Sequence, residues 1–425
     1  MCLPLAPPAT AGGIFSAIGQ QSRQLYGFAR MTDLISLASR LAWPLALTLA
    51  WMAGELMYRF SGMPRIAVYG LAGFVFGNVA AGYLPPSEAQ AFMLLANLGF
   101  GLMLFELGYR INLRWLRNNP WILATSLAES VCTFAAVYLV ATYCGTPPLA
   151  AGLLAALAMS TSPAGLLRVL NEQASSGQVT ERALHLSALN CVLAVFAFKV
   201  VVGIGVFQTS GDLAHAAWSS LVVLAASALL GALFGMAVPL WLRRIDNAAR
   251  DATLAFAIAV FLLVVITHVL VFSPVLAALT FGIVARHRRI ALSPAQRNFG
   301  VLGDLLSVLL FFFVATTLSW DQVARGFALG LLLVLVRALI KVAVCTAFAR
   351  VSGITARKGA LSGLALTPMA VFAILLLEQT RRLGVDLFHS LAPLAAIALL
   401  LEVAGPLVTQ RAVLLAREAR SVREE

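Results

Sequence analysis

Asn190, Cys191 and Lys199 stand inside ALHLSALNCVLAVFAFKVVVG, an apolar run from about residue 183 to 205. Just ahead of it, LAAGLLAALAMSTSPAGLLRVL at 149–170 is long enough to cross a bilayer and is broken in its middle by Thr161-Ser162-Pro163. Such a break exposes backbone amides and carbonyls that hydrocarbon cannot satisfy, so it is tolerated only beside a site or cavity. A broken membrane helix followed by one with polar groups at mid-depth is what ion-coupled transport requires. The same residues, taken alone, also fit a Pro163 kink in a packing helix and a structural, hydrogen-bonding Asn190. Three further groups lie in apolar stretches: Glu129 within 119–144, and Arg337 and Lys341 within 324–349. An ionisable side chain at such a depth is costly and usually functional.

The elements that must position these groups are membrane helices. Of 425 residues, 61% are hydrophobic and 11% charged, whereas a soluble domain carries roughly 25% charged residues. The formal charge of +12 is accounted for by arginine in loops facing an anionic leaflet. No aromatic-interleaved basic domain points to nucleic acid. The cysteines Cys2, Cys132, Cys144, Cys191 and Cys345 form no CxxC pair, and neither a disulfide scaffold, a metal site nor a cofactor is expected. Without a nucleophile elbow or phosphate loop, the chain does not read as an enzyme.

Thirteen spans are expected, near 33–57, 66–84, 90–108, 119–144, 148–170, 183–205, 215–241, 250–270, 272–286, 298–318, 324–349, 358–378 and 386–409. Residues 1–32 then form an extracytoplasmic N-terminal tail, 33–411 the membrane domain and 412–425 a cytoplasmic basic tail. Loops after the odd spans hold most of the arginine, among it Arg110, Arg114, Arg117, Arg286, Arg288 and Arg289. The opposite side holds only Arg23, Arg30, Arg40, Arg325, Arg381 and Arg382. By the positive-inside rule the N-terminus is outside and the C-terminus cytoplasmic, as in a multi-pass protein of a bacterial inner membrane.

The chain repeats itself. LANLGFGLMLFELGYRINLRWL at 95–116 has a counterpart in VLGDLLSVLLFFFVATTLSWDQV at 301–323, and an offset of 205 also takes Pro163 to Pro368. STSPAG in the fifth span answers ALTPMA in the twelfth. Seven spans apart is an odd number, so the halves, about 66–205 and 272–409, run in opposite directions through the membrane. An inverted repeat with proline-broken helices at matching places brings half-helix ends together at mid-membrane.

In this pattern the region from about 40 to 410 resembles the transmembrane domain of the monovalent cation:proton antiporters, the sodium/proton and potassium-efflux exchangers. The resemblance rests on LFELGYRINL at 104–113, AMSTSPAGLLRVL at 158–170, FFFVATTL at 311–318, VRALIKV at 336–342 and LSGLALTPMAVFAILL at 361–376. It implies an all-α polytopic fold with two crossing broken helices. It also implies a homodimer in the lipid bilayer, elevator-like alternating access, and exchange of protons for sodium or potassium. By the same resemblance Thr161, Ser162, Pro163, Thr367 and Pro368 line the ion site, and Lys341 matches a basic residue that pairs with a span-six aspartate or supports the core.

That aspartate is missing. The family carries Asp-Asp, Asn-Asp or Gln-Asp in span six. Here LNCVLAV at 189–195 offers Asn190-Cys191 or, in the neighbouring register, Leu189-Asn190. Asn190 cannot titrate, although its amide oxygen can coordinate a cation. Cys191 is either a plain buried thiol or a thiolate paired with Lys341. Glu129 and Glu106 are the accessory acids. Glu106 is spaced i,i+4 from Arg110 and fits a local ion pair. Glu55, Glu378 and Glu402 lie near span ends or in the last helix, where interfacial or dimer roles are in view. His185 reads either as a proton shuttle with Lys199 or Glu181 or as a satisfied helix-end histidine. Two other functions stay open on this scaffold: a cation-independent transporter of an anion or organic solute, and a transport-dead binding or sensory relative.

Overall fold

Proline sets where several of the helices start. Pro120, Pro148, Pro163 and Pro274 each occupy the first turn of a helix, where the missing N–H costs nothing. The computed structural model describes residues 41–79, 86–206, 213–244, 248–288, 299–369, 371, 373–374 and 392–419, and among them every regular element is helical. After α1 (41–61) come α2 (Arg65–Val79), α3 (Pro86–Arg110), α4 (Leu113–Asn118), α5 (Pro120–Tyr143), α6 (Pro148–Met159), α7 (Pro163–Glu172) and α8 (Gln178–Val206). There follow α9 (Leu213–Leu242), α10 (Ala248–Val269), α11 (Pro274–His287), α12 (Gly300–Thr316), α13 (Trp320–Ala347), α14 (Ala356–Ala365) and α15 (Ala392–Leu415).

Among the described residues eight segments are long and apolar enough to cross a membrane, and Arg65–Val79, Pro274–His287 and Leu302–Thr316 are shorter apolar helices. This is a multi-pass membrane protein. The start of the expected first span, most of the twelfth beyond Met369 and the N-terminal tail lie outside the described residues. The last helix extends to Leu415, beyond the expected end near 409. The broken span is the most interior: 94% of its apolar window is buried, against 22% for Trp218–Leu242 and for Trp320–Ala347. Leucine-rich outer faces of α9 and α13 are thus left for lipid, while α6 and α7 are enclosed by protein.

Close backbone approaches draw the scaffold together. At the α3–α11 crossing, a Cβ on Gly108 would stand 2.1 Å from the Leu279 carbonyl oxygen and one on Gly282 would stand 2.2 Å from that of Phe105. Small residues permit such contact where lipid supplies no hydrophobic drive between helices. Beside it, Phe105 packs on Phe256, Phe281 and Phe299. A Gly108→Ala substitution is expected to lower stability by about 1–3 kcal/mol, read as a lowered thermal midpoint in detergent; an unchanged midpoint would contradict this contact.

Hydrogen bonds also join loops into one face. Arg110 bonds Asn171, and Arg286 bonds the Arg110 carbonyl. Arg65 pairs with Glu172 at 2.9 Å, Arg168 with Asp304 at 2.8 Å, and Lys358 donates to Gln178 at 3.0 Å. At the other end Asn78 accepts from the Trp320 amide at 2.7 Å and donates to the Leu318 carbonyl at 3.0 Å. The chain beyond α15 turns back, and Glu418 accepts from the Val179 and Thr180 amides at 2.9 and 2.8 Å. It thereby caps the N-terminus of α8, the helix that carries Asn190.

Candidate functional site

Two helix breaks meet at the centre. α6 ends at Met159, and α7 begins at Pro163 with Ser162 as its N-cap. α14 ends at Ala365, before Leu366, Thr367 and Pro368. The Ser162 amide donates to the Pro368 carbonyl at 2.6 Å, and the Thr161 hydroxyl donates to the Leu366 carbonyl at 3.1 Å. Thr161 and Leu366 are 205 residues apart, the offset of the sequence repeat.

Breaking two helices leaves terminal carbonyls without intrahelical donors. Arg337 of α13 supplies them. Its Nε donates to Ala158 O at 2.9 Å, Nη1 to Thr367 O at 2.9 Å, and Nη2 to Ser160 O at 2.7 Å and Leu366 O at 3.1 Å. The C-terminal ends of α6 and α14 therefore point at one guanidinium. Both helix dipoles present their negative ends there, so a cation is the favourable occupant. Arg337 is 1% exposed.

Lys341 lies one turn further along α13. Its Nζ donates to Glu129 Oε1 at 2.5 Å, to Met159 O at 3.1 Å and to Thr161 Oγ1 at 3.5 Å. Glu129, from α5, is completely enclosed. Its Oε2 accepts from Asn190 Nδ2 at 2.6 Å, and Oε1 accepts from the Thr133 hydroxyl at 3.1 Å. Asn190 Oδ1 in turn accepts from Ser126 at 2.7 Å and Ser130 at 3.3 Å. A carboxylate from α5 thus stands directly against Asn190 of span six. A buried ion pair persists when its remaining valences are hydrogen-bonded, and here both carboxylate oxygens are.

Cys191 donates its S–H to the Thr161 carbonyl at 3.1 Å, and Ser187 donates to the same oxygen at 3.4 Å. The partner of Lys341 is Glu129, and Cys191 faces the Thr161 carbonyl instead. Asn190, Cys191, Thr161, Ser162, Pro163, Thr367, Pro368, Lys341 and Glu129 all come to the crossing or its immediate hydrogen-bond network. Glu106 belongs to a different group: it accepts from Arg110 at 2.8 Å and from Asn171 at 2.9 Å. His185 is satisfied at a helix end. Nδ1 bonds Glu181 O at 2.7 Å, Nε2 accepts from the Asn112 amide at 3.3 Å, and the ring packs on Trp115. Among the described residues no His, Cys, Asp and Glu group could hold a metal ion.

Three participants were not singled out from sequence: Ser126, Ser130 and Thr133. Their signal is spacing. Ser126, Glu129, Ser130 and Thr133 fall at i, i+3, i+4 and i+7, one face of a helix. Arg337 was noted only as a charge within its span; that four carbonyls converge on it follows from the fold.

A family model described as sodium/hydrogen exchanger, transmembrane, matches residues 45–413. No curated protein matches the chain. Two solved structures of the sodium proton antiporter MjNhaP1 from Methanocaldococcus jannaschii share the architecture. One, determined at pH 8, has a TM-score of 0.67 at 16% identity and covers 90% of this chain and 96% of its own. The other, from electron microscopy, has a TM-score of 0.70 at 16% identity and covers 89% of this chain and 97% of its own. At that identity the likeness is one of fold.

Proposed function

We propose, since the chain belongs to the sodium/hydrogen exchanger transmembrane family, that it exchanges protons for sodium or potassium with Glu129 as the exchanging carboxylate. The observation that carries this reading is the pairing of Glu129 with Lys341 at 2.5 Å and with Asn190 at 2.6 Å, beside two broken helices. Charge balance gives the chemistry. One buried carboxylate cannot hold both an ammonium and a metal cation, so a cation that binds Glu129 displaces one positive charge. A proton, leaving either from Lys341 or from Glu129 itself, is the charge available. The Thr133 and Thr161 hydroxyls, which lie against Glu129 and Lys341, offer neutral oxygen to a bare cation, whose preferred ligands are oxygen.

The remaining features are read on the same basis. α5–α8 and α13–α15 surround the crossing and would move as one body against the other helices, giving elevator-like access in a homodimer. The bonded Arg65, Arg110, Arg168 and Arg286 face would be cytoplasmic, in a bacterial inner membrane, with the N-terminus outside.

Purified protein in liposomes with an internal pH dye tests the exchange. Sodium, potassium and lithium gradients are applied beside protein-free vesicles. Proton movement that requires sodium or potassium is expected. Silence from folded protein in both orientations, with all three cations, would overturn the reading. A second measurement tests the placement of the acid. Asn190 Nδ2 lies within hydrogen-bond distance of Glu129, so the double variant Glu129→Gln/Asn190→Asp moves the carboxylate to span six. It is expected to regain exchange that Glu129→Gln lacks. A double variant as silent as the single one would contradict the idea that the acid has changed helices while its function stayed.

A further inference from the structure

Glu402 lies in α15 and takes no part in the crossing. It is 5% exposed, and its Oε1 is buried without a hydrogen-bond partner. The side chain fills a notch on α2: a Cβ on Gly70 would stand 2.3 Å from Glu402 Cγ and 3.0 Å from Oε1. Three residues on, Gly405 touches the Pro368 Cα, 2.9 Å from where its own Cβ would be. The carboxyl therefore sits in the α2–α15 seam, one turn from the second helix break.

An ionised carboxylate in such a place needs a counter-charge or a set of donors. α15 packs chiefly against α13, α2, α14 and α7, and the charges on these helices are engaged elsewhere. On α2, Arg65 pairs with Glu55 and Glu172, the latter the acid of α7. Arg168 of α7 pairs with Asp304. On α13, Arg337 holds the four carbonyls, Lys341 holds Glu129, and Arg325 pairs with Asp321 at an exposed end. On α14, Lys358 bonds Gln178 and Arg357 bonds the Leu415 carbonyl. Tyr69 and Cys345, also on these helices, bring no positive charge.

We propose that Glu402 is a second proton-binding site, separate from Glu129, which holds its proton as a neutral carboxylic acid while α15 is seated on α2. The contrast with Glu129 is chemical. Glu129 has an ammonium and two neutral donors, a set that also suits exchange with a metal cation. Glu402 has a tight notch against Gly70 and an unpartnered oxygen, which suit a proton and leave no room for a hydrated or oxygen-liganded cation. Its occupancy should respond to pH and be indifferent to sodium or potassium. The assignment stands whether or not the protein moves as an elevator.

Infrared difference spectroscopy on full-length protein in lipid tests this directly. At pH 7 the wild type should show the carbonyl stretch of a protonated, weakly hydrogen-bonded carboxylic acid. The band should vanish in Glu402→Gln, persist in Glu129→Gln, and stay unchanged when sodium or potassium is added. It should shift in Gly70→Ala, which pushes the side chain out of its notch, a readout that does not depend on Glu402→Gln folding. A wild-type minus Glu402→Gln difference that shows loss of an ionised carboxylate instead would overturn the proposal. So would a Glu402 band that disappears on adding cation, because it would make Glu402 part of the cation site.

Discussion

Replacing Glu129 with glutamine is expected to reduce cation-driven proton movement in liposomes to the level of protein-free vesicles. Glutamine keeps the shape and can still bond Asn190, but it carries no exchangeable charge. It also strands Lys341, whose Nζ loses its partner at 2.5 Å. Removing one member of a buried pair costs about 3–5 kcal/mol, so lost activity alone could reflect lost fold. The double variant Glu129→Gln/Lys341→Met separates the two effects. Without the stranded ammonium it should recover much of the thermal stability, yet remain silent in flux. Exchange retained by Glu129→Gln would remove Glu129 from the mechanism and return attention to Asn190 and the backbone carbonyls of the crossing.

Arg337→Gln is expected to give the largest loss of stability of any single substitution at the crossing. The guanidinium makes four bonds to Ala158, Ser160, Leu366 and Thr367 carbonyls. Each hydrogen bond involving a charged group contributes about 1.5–3 kcal/mol, and glutamine, with one amide, reaches two of these oxygens at most. A loss of about 4 kcal/mol or more places the change among the rare large effects. Arg337→Lys should be nearly as damaging, since an ammonium lacks the planar fork that spans both helix ends. Thermal unfolding in detergent, followed by tryptophan fluorescence, measures both. An unfolding free energy within about 1 kcal/mol of wild type would show that water or neighbouring groups satisfy the carbonyls instead.

The fold was legible where hydropathy and proline speak together. The break at Thr161-Ser162-Pro163, its counterpart at Thr367-Pro368 and the 205-residue offset were all readable, because lipid forbids unsatisfied backbone and so makes each break conspicuous. The acid beside Asn190 was harder to place. Reading along span six finds Asn190 and Cys191 and stops, since periodicity within one helix says nothing of what a neighbouring helix presents. Glu129 was visible as a costly charge in span four, but its contact with Asn190, 61 residues away, comes from packing. The polar face formed by Ser126, Ser130 and Thr133 was within reach of a helical-wheel count. The convergence on Arg337 was not, because it depends on two half-helices ending at one point. The turn of the tail onto α8 escaped for the same reason: Glu418 looks like one acid in a basic, polar terminus until the α8 amides are beside it.

The bond from the Ser162 amide to the Pro368 carbonyl, 2.6 Å long, has a mechanical consequence. It pins the two repeats at their common centre, as a rivet joins two crossed bars. With Arg337 gripping both bars beside the pin, neither can be pulled along its own length without carrying the other. A load applied to one repeat is therefore felt by both, and the compliance needed for any large motion must reside away from the crossing, in connections such as those at 119 and 317–319 that lead into the helices around it.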